Sequence, residues 1–371
     1  MTTPHGRPDG ASADSAPLAG WTAVVLLSGA SERMRSDIPI ALHPVAGVPM
    51  VRLVCDALRA AGCDDPMVVA PADVQEAVAA ASGDVRIVDA APAPSGRTIL
   101  LPAELPLLSV DVLRDALHGH AENDRPLTLL DRGMGAAELR VVEDRLGLAE
   151  AEAALRDRIR RRLMLAGVTL QDPATTYIDA TVEVGADTTI LAGVHLQGRT
   201  RLGAGCRIGP NAVIRDTDVG DRVVIGSSTI EEATIRDGVD IGPYCHLRPG
   251  VTLERDVHLG NYVEIKASRI GARTQVGHFS YIGDSDLGSD VNFAAGSITA
   301  NYDEATRIKS RTEIGAHASI GSGTVLVAPV RVGVRARTAA GSVVTRDVPD
   351  GALVQGVPAR VRPGVEGGHS A

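Results

Sequence analysis

The chain has 371 residues, of which 44% are hydrophobic and 22% are charged, and its formal net charge is −9. This composition indicates a globular protein with room for at least two domains, and the acidic balance argues against a general nucleic-acid binder. No apolar run is long enough to span a bilayer and no signal-peptide pattern stands at the N-terminus, so we expect a cytoplasmic protein without membrane contact.

The cysteines show neither a CxxC pair nor the Cys/His spacing of a metal site; they are Cys55, Cys63, Cys206 and Cys245. We therefore predict reduced thiols rather than disulfides or a metal centre.

The composition and the hydrophobic pattern of the sequence change several times along the chain. Residues 1–20 are rich in Ser, Pro, Ala, Gly and Asp and are predicted to be disordered. Residues 21–135 have an α/β pattern, with strands predicted at 23–27, 67–70 and 99–101 and a helix at 49–61. A linker at 136–167 follows, with one helix predicted over 148–165, and residues 362–371 form a tail.

Between these segments, residues 168–361 carry an aliphatic residue at every sixth position. The first members of the series are Ile178, Val184, Ile190, Leu196, Leu202, Ile208 and Ile214. The period slips at Val219, resumes at Ile225 and reaches Val332, with one interruption at 299–311. Neither a helix nor an isolated strand has this period, whereas each flat face of a parallel β-helix does. The inserted segment is a typical place for functional residues.

Two cations occupy equivalent places in this repeat. Arg248 and Lys266 each follow an aliphatic position, three faces apart, so they are expected on neighbouring coils. A planar guanidinium beside a point charge is suited to binding phosphate. The alternative is two solvated surface cations, which is less favoured because Lys266 and Lys309 are the only lysines in the sequence.

A histidine and a pair of small residues are candidates for the chemistry. His278 follows an aliphatic position next to glycine and is expected at a corner, where it can act as a general base or be merely structural. Backbone N–H groups near Ala295 and Gly296 are suited to hold a developing oxyanion.

Five motifs together resemble one family. They are Leu-Arg-Pro-Gly at 247–250, Gly-Asn-Tyr-Val-Glu-Ile-Lys at 260–266, Gly-His-Phe-Ser-Tyr-Ile-Gly-Asp at 277–284, Asn-Tyr-Asp at 301–303 and Val-Thr-Arg-Asp-Val at 344–348. Over roughly residues 160–345 the chain resembles the bifunctional N-acetylglucosamine-1-phosphate uridyltransferase/glucosamine-1-phosphate acetyltransferases. The resemblance implies a mainly β protein with a C-terminal left-handed parallel β-helix and a small N-terminal α/β remnant of a nucleotidyltransferase domain. It also implies a homotrimer that binds acetyl-CoA between subunits and needs no metal for acyl transfer.

The resemblance also assigns roles to individual residues. Six bind or position the acceptor sugar phosphate: Arg248, Lys266, Tyr281, Asn292, Asn301 and Tyr302. Three take part in the reaction. His278 is the base, the Ala295 amide donates a hydrogen bond to the oxyanion, and Glu264 supports the residues that contact the substrate.

The residues that are expected to bind the acyl donor match the family less closely. Ser322 and Ala340 match positions that contact the CoA arm. The lysine that follows Asn-Tyr-Asp in the family falls on either Arg307 or Lys309. The family's terminal arginine is replaced, and Arg360 is the candidate substitute.

The first domain departs from the family at the positions that hold the nucleotide. Ser31 and Glu32 stand where the family has glycine and threonine, and Ile40 stands where it has lysine. Glu104 and Glu143 replace an aspartate and an asparagine of the metal site, and a long segment that includes the uracil-recognition residues is absent. Because phosphate binding needs close backbone approach and positive charge, we predict that uridyltransferase activity is lost.

The sequence therefore predicts a CoA-dependent N-acetyltransferase that acts on the amine of glucosamine 1-phosphate or a related amino sugar phosphate. Two alternatives stay open. One is a repurposed N-acetyltransferase of a specialised pathway with a different amine acceptor. The other is a non-catalytic trimeric binding or regulatory partner.

Overall fold

A computed structural model describes residues 16–27, 32–93, 97–121, 127–129 and 139–362 of the protein. The chain divides into two compact units, Met1–Arg158 and Ile159–Ala371. In these described ranges no helix is both long and apolar enough to cross a membrane. Within the same ranges, no group of three or more His, Cys, Asp or Glu side chains is arranged to hold a metal ion.

The first unit is built on a five-stranded parallel sheet. Its strands, in spatial order, are Arg86–Val88, Met67–Val69, Thr22–Leu26, Thr98–Pro102 and Leu127–Leu129. Helices α1 (Met50–Ala60), α2 (Gln75–Ser82) and α3 (Val110–Ala121) accompany it, with a 3-10 turn at Ile40–Leu42 and a hairpin of Pro44–Val45 and Val48–Pro49. The three predicted strands and the helix predicted at 49–61 are confirmed within one residue at each end.

The expectation of disorder up to residue 20 is wrong for residues 16–20. These residues form a turn in which the Leu18 N–H donates to the Ala61 carbonyl at 2.8 Å. The Leu18 side chain is fully buried in the core of the first unit, so its burial outweighs the polar composition around it. Residues 1–15, and 363–371 of the predicted tail, lie outside the described residues.

Helix α4 spans Arg145–Leu165 and contains the boundary between the two units. It was predicted to begin at residue 148. Asp144 caps it, because its side chain accepts the Gly147 N–H at 2.8 Å and its carbonyl accepts the Leu148 N–H at 2.9 Å. This capping residue sets the start three residues earlier than composition alone indicates.

The second unit is a left-handed parallel β-helix, as the resemblance implies, and its coils form three sheets. Face 1 consists of Glu183–Val184, Arg201–Leu202, Asp218–Val219, Thr234–Ile235, Thr252–Leu253, Arg269–Ile270, Ser285–Leu287, Thr312–Ile314 and Val330–Val332. Face 2 consists of Thr169–Leu170, Thr189–Ile190, Arg207–Ile208, Val224–Ile225, Asp240–Ile241, His258–Leu259, Gln275–Val276, Asn292–Phe293, Ser319–Ile320, Arg337–Thr338, Leu353–Gly356 and Ala359–Val361. Face 3 consists of Tyr177–Ile178, His195–Gln197, Val213–Arg215, Thr229–Glu231, His246–Leu247, Glu264–Lys266, Tyr281–Gly283, Ile298–Ala300, Val325–Val327 and Val343–Val344.

The six-residue period forms the core of the β-helix. Leu247, Ile265 and Ile282 are directly in register on three successive coils of face 3, and all three are fully buried. Stacking identical aliphatic layers removes apolar surface from water on every coil, at roughly 25 cal/mol per Å². Where the period slips, the coil is shorter, since Ile214 pairs with Ile230.

The interruption predicted at 299–311 is a small hairpin. Its strands, Tyr302–Asp303 and Ile308–Lys309, pair antiparallel, so that Tyr302 lies opposite Lys309. The Asp303 side chain accepts the N–H groups of Ala305 and Thr306 and closes the turn. The hairpin therefore presents exposed side chains without breaking the stack of coils.

The cysteines are free and buried in the structure, which confirms the prediction of unpaired thiols. Burial raises the pKa of the Cys55 thiol to about 12 and also raises the pKa of the other three thiols. Because the thiolate is the reactive form, we expect the native protein not to react with Ellman's reagent at pH 8, and all four thiols to react after denaturation. Rapid reaction of the native protein would contradict this packing.

Candidate active site

The two predicted cations lie side by side on face 3. The register pairs Leu247 with Ile265, and the Arg248 N–H donates to the Ile265 carbonyl at 2.9 Å. Arg248 and Lys266 therefore follow the same core layer on adjacent coils, about 4.8 Å apart along the axis of the helix. These two residues, called here the cation pair, are neighbours on adjacent coils, as predicted.

Each member of the cation pair is held by a carboxylate on the next coil. The Arg248 guanidinium contacts Glu264 at 3.1 Å, with both side chains 42% exposed. Lys266 Nζ contacts Asp284 Oδ2 at 3.1 Å, and these side chains are only 15% and 17% exposed. An anion that binds here replaces the carboxylates as the partner of the two cations. The carboxylates have already fixed the positions of the cationic groups that the anion contacts.

Asp284 was not singled out in the sequence, although it ends the quoted motif at 277–284. The same Oδ2 that contacts Lys266 accepts a hydrogen bond from Asn301 Nδ2, and Asn301 is buried. One carboxylate therefore orients both the predicted phosphate-binding lysine and a predicted acceptor-binding amide. Gly-Asp also occurs at 220–221 of the repeat, so the dipeptide and its spacing did not distinguish this aspartate.

Gly283 brings Tyr281 into the same group. A methyl group at Gly283 would lie 2.5 Å from Tyr281 Oη and 2.8 Å from Asn301 Nδ2. The tyrosine hydroxyl and the amide thus converge on the space that glycine leaves, next to Lys266, with which Gly283 is paired. Glycine is needed at this position for close approach of side chains and not for an unusual backbone angle.

His278 lies at the corner between faces 2 and 3. Its Nδ1 accepts the Asn261 N–H at 3.3 Å, so the neutral ring carries its proton on Nε2 and its lone pair on Nδ1. The imidazole lies against Gly260, where a methyl group would be 2.7 Å from Nδ1 and 3.0 Å from Cε1. The backbone of the preceding coil therefore fixes the ring, a role that the sequence analysis did not give to Gly260 or Asn261.

This contact predicts that Gly260→Ala displaces the imidazole. Other coils carry Ala294 and Ala339 at the equivalent position, so the corner itself accepts a methyl group. With His278 as the base that the resemblance implies, we expect kcat to fall by about 100-fold, because small misplacements of a catalytic group have effects of that size. The control is Gly226→Ala two coils earlier, where the three atoms nearest to the methyl group belong to Pro243 and Gly242 and lie 3.1–3.4 Å away. Equal kcat values for the two variants would contradict the role of Gly260.

Four predicted residues share this corner on successive coils: His278, Ala295, Ser322 and Ala340. Hydrogen bonds connect them, from the Gly296, Gly323 and Gly341 N–H groups to the carbonyls of His278, Ala295 and Ser322 at 2.8–2.9 Å. This corner row is about 14 Å long at the usual strand spacing. The Ala295 nitrogen lies close to Gly277, and its N–H has no acceptor among the described residues. It is therefore available to an oxyanion.

The remaining predicted residues lie on face 2 and on the hairpin. Asn292 is exposed on face 2, and Tyr302 is 52% exposed on the hairpin with Arg307 in its turn. Lys309 is exposed opposite Tyr302, and Arg360 is exposed on the last strand of face 2, opposite Gln355. The structure does not bring Asn292 to the cation pair in a single chain.

In the first unit, the counterpart of the nucleotide loop is tied to other parts of the same unit. Residues 28–31 lie outside the described residues. Arg33 forms an ion pair with Glu143 at 2.7 Å, and the Arg145 Nε–H donates to the Met34 carbonyl at 3.2 Å. Ile40, in place of the family lysine, is 7% exposed and belongs to a small apolar core with Met34.

Family models match both units of the chain. The MobA-like NTP transferase domain matches residues 23–170. The six-repeat bacterial transferase hexapeptide matches residues 181–216, and the hexapeptide repeat of succinyl-transferase matches 217–263 and 311–346.

Curated relatives are named "Bifunctional protein GlmU". The protein from Streptococcus equi subsp. zooepidemicus is 49% identical over 208 residues, which cover 56% of this chain and 45% of that protein. The chain thus spans about half the length of this relative. The protein from Syntrophomonas wolfei is 32% identical over 430 positions, which cover 88% of this chain and 95% of that protein. Because 430 positions exceed the 371 residues of this chain, that relative contains segments that this chain lacks.

Among solved structures, the Arabidopsis UDP-N-acetylglucosamine acyltransferase matches with a TM-score of 0.34 and 15% identity, over 53% of this chain and 72% of that one. LpxA from Acinetobacter baumannii matches with a TM-score of 0.31 and 16% identity, over 52% and 73%.

Proposed function

Because the chain belongs to the family of bifunctional GlmU proteins, we propose that its β-helix is an acyl-CoA-dependent N-acyltransferase that acetylates the amine of glucosamine 1-phosphate or a related amino sugar phosphate. The observation that carries this proposal is the cation pair on face 3, on coils next to the corner that fixes His278. An anion site and a held imidazole on neighbouring coils suit an acceptor with a phosphate at one end and an amine at the other.

In this proposal the acceptor phosphate binds Arg248 and Lys266 and takes the place of Glu264 and Asp284 as their partner. Asp284 still accepts from Asn301, which keeps the amide turned toward the sugar. The Tyr281 hydroxyl, close to Gly283, donates to a sugar oxygen. The two cations bind the phosphate by charge, and the two neutral donors orient the sugar through directional hydrogen bonds.

The chemical step is attack of the neutral amine on the thioester carbonyl. A C–N bond forms while the amine proton passes to the His278 imidazole. Because the Asn261 N–H occupies the Nδ1 lone pair, Nε2 takes this proton in the tautomer that carries the ring proton on Nδ1 and gives up that contact. The Ala295 N–H stabilises the negative oxygen of the tetrahedral intermediate. The C–S bond then breaks, and the thiolate takes the proton from the His278 imidazolium and leaves as the thiol, which returns the imidazole to its neutral form.

The corner row provides a path for the acyl donor. An extended pantetheine arm running past Ser322 and Ala340 reaches the end of face 2, where Arg360 is exposed on the last strand. The Arg360 guanidinium is suited to bind a CoA phosphate there. Arg307 or Lys309 on the hairpin is the second candidate for a CoA contact.

We also propose a homotrimer whose sites draw on two chains. Tyr244, Tyr262 and Phe279 stack on three successive coils, with ring centroids 5.2 and 5.1 Å apart, and are 48–65% exposed. An exposed aromatic ladder next to His278 supports a subunit interface at this corner. The position of Asn292 on face 2, apart from the cation pair, supports a site that a neighbouring chain completes.

Loss of uridylyl transfer is the second part of the proposal. Arg33, which would otherwise face a triphosphate, is paired with Glu143. Ile40, a buried apolar residue, stands where the family has a cation. No positive charge remains at that position to bind the nucleotide.

We therefore expect Ile40→Lys to destabilise the first unit without restoring uridylyl transfer. A lysine at a 7% exposed position places a charge in an apolar core, at an expected cost of about 3 kcal/mol. Urea unfolding followed by the fluorescence of Trp21, the sole tryptophan, measures this cost. The control is Ile38→Lys, because Ile38 is 52% exposed. Equal stability of the two variants would show that Ile40 is not part of the core.

The proposal is tested by thiol release from acetyl-CoA in the presence of glucosamine 1-phosphate. We expect release that depends on the amine and that yields the N-acetylated sugar phosphate. Transfer to a non-sugar amine that persists when Arg248 and Lys266 are neutralised would favour the repurposed acetyltransferase. Absence of CoA binding by calorimetry would favour the non-catalytic partner.

A further inference from the structure

The cation pair belongs to a longer column of charged residues on face 3. The register of the strands pairs Arg215 with Glu231 and places Arg248 one coil after Glu231. The column, called here the charge column, consists in chain order of Arg215, Glu231, Arg248 and Lys266, spaced about 4.8 Å apart along the helix axis. A carboxylate therefore stands directly beside the cation pair, on the side of the earlier coils.

Two partners hold the Glu231 carboxylate in this place. Its Oε1 accepts a hydrogen bond from the Arg215 guanidinium at 2.8 Å, and its Oε2 lies 3.1 Å from His246 Nε2. The Glu231 side chain is only 26% exposed, so most of it is packed against its neighbours. Because each oxygen has its own partner, the carboxylate is held in the column and does not readily turn away from the cation pair.

The opposite side of the cation pair suits a sugar. The Tyr281 hydroxyl and the Asn301 amide converge there, beside Lys266. The carboxylate on that side is Asp284, and the hydroxyl groups of a sugar can donate hydrogen bonds to it. With the sugar on the later coils, the side of the bound phosphate that faces away from the sugar lies toward Glu231.

This order of charges distinguishes one phosphate from two. In a diphosphate the second phosphate shares an oxygen with the first, so it falls within one coil of the cation pair, on the side of Glu231. There it brings negative charge to a carboxylate that has no proton to donate, and like charges at this distance repel each other. The same carboxylate also engages Arg215, the next cation of the column, which could otherwise bind the second phosphate.

We propose that Glu231 is a specificity-determining residue of the acceptor site. It admits amino sugars with a single phosphate and rejects those in which this phosphate is part of a diphosphate, as in a nucleoside diphosphate amino sugar. The inference rests on the proposed function, from which it takes the phosphate at the cation pair and the sugar on the later coils. It adds a residue that contacts neither the amine nor the acyl donor.

The test compares the binding of glucosamine 1-phosphate and of uridine diphosphate glucosamine by calorimetry without an acyl donor, so it does not depend on turnover. A binding signal that persists in Lys266→Ala belongs to other sites and is subtracted. Glu231→Gln removes the negative charge, keeps the size of the side chain and releases Arg215. We expect it to lower the Kd for uridine diphosphate glucosamine about tenfold more than the Kd for glucosamine 1-phosphate.

The matched control is Glu254→Gln, next to face 1. Glu254 is 27% exposed and is paired with Arg269 at 2.8 Å, as Glu231 is with Arg215, and we expect both Kd values to stay unchanged. Arg215→Gln should act in the opposite direction, because it leaves the Glu231 charge without its guanidinium partner. Binding of uridine diphosphate glucosamine should then weaken more than binding of the monophosphate.

The outcomes separate this inference from the proposed function. Equal changes of both Kd values in Glu231→Gln, or the same shift in Glu254→Gln, overturn the role of Glu231, whereas the proposed function stands if glucosamine 1-phosphate still binds through Lys266. Absence of any binding that depends on Lys266 contradicts both. A shift in selectivity as expected, in a protein that transfers no acyl group, contradicts the proposed function and supports the role of Glu231 in selecting the anion.

Discussion

Replacement of His278 by alanine is expected to lower kcat for acyl transfer by about 10²–10⁴-fold, which is the usual contribution of a positioned general base. The KM for the sugar phosphate is expected to change little, because the cation pair and Asp284 do not depend on the imidazole. Steady-state thiol release at saturating acetyl-CoA measures both parameters. His278→Gln is expected to lose the same activity, since an amide retains hydrogen bonding but accepts no proton near neutral pH.

The matched control is Gln275→Ala, on face 2 of the same coil, where the side chain is exposed and belongs to no predicted site. It is expected to retain wild-type kcat. If His278→Ala retained full activity, the proton would have to leave the amine by another route and the base would be wrongly assigned. A rise in KM without loss of kcat would instead make His278 a binding residue.

Neutralising the cation pair is expected to act on binding of the acceptor. Arg248→Ala and Lys266→Ala should each raise KM for glucosamine 1-phosphate by about 10–100-fold, the range expected when a hydrogen bond between charged groups is lost. The effect of Lys266→Ala should be the larger. It leaves Asp284, only 17% exposed, with Asn301 as its remaining partner and with a negative charge facing the phosphate.

Two controls separate phosphate binding from general damage. Glucosamine without phosphate should be a poor acceptor for the wild type and for both variants alike, because it makes no contact with the cations. Arg269→Ala removes an arginine that is paired with Glu254 on face 1, and it should leave KM unchanged. If Lys266→Ala bound glucosamine 1-phosphate as tightly as the wild type, the phosphate would have to bind elsewhere.

The sequence was sufficient to predict the β-helix because its period is set by geometry. An aliphatic side chain every six residues determines which side chains point inward on all three faces, and hence that Arg248 and Lys266 share one face. Corner positions follow from the same register, which is why His278 and Ala295 were found. The resemblance then added the hand of the helix, which the period alone does not specify.

The contacts that orient these residues could not be read from the period. Asp284, which bonds both Lys266 and Asn301, follows a glycine as many surface residues of the repeat do. Gly260 is needed because of the ring that lies over it, a contact between coils that spacing does not reveal. Leu18 was missed since a single apolar residue in a polar segment carries no periodic signal, although it packs in the core.

The most direct measurement is a crystal structure of the protein with glucosamine 1-phosphate and CoA bound together. The account predicts phosphate oxygens in contact with Arg248 and Lys266, and the amine within about 3.2 Å of a His278 ring nitrogen. A sugar phosphate bound away from face 3, or an amine out of reach of the imidazole while the thiol lies elsewhere than the corner row, would contradict it.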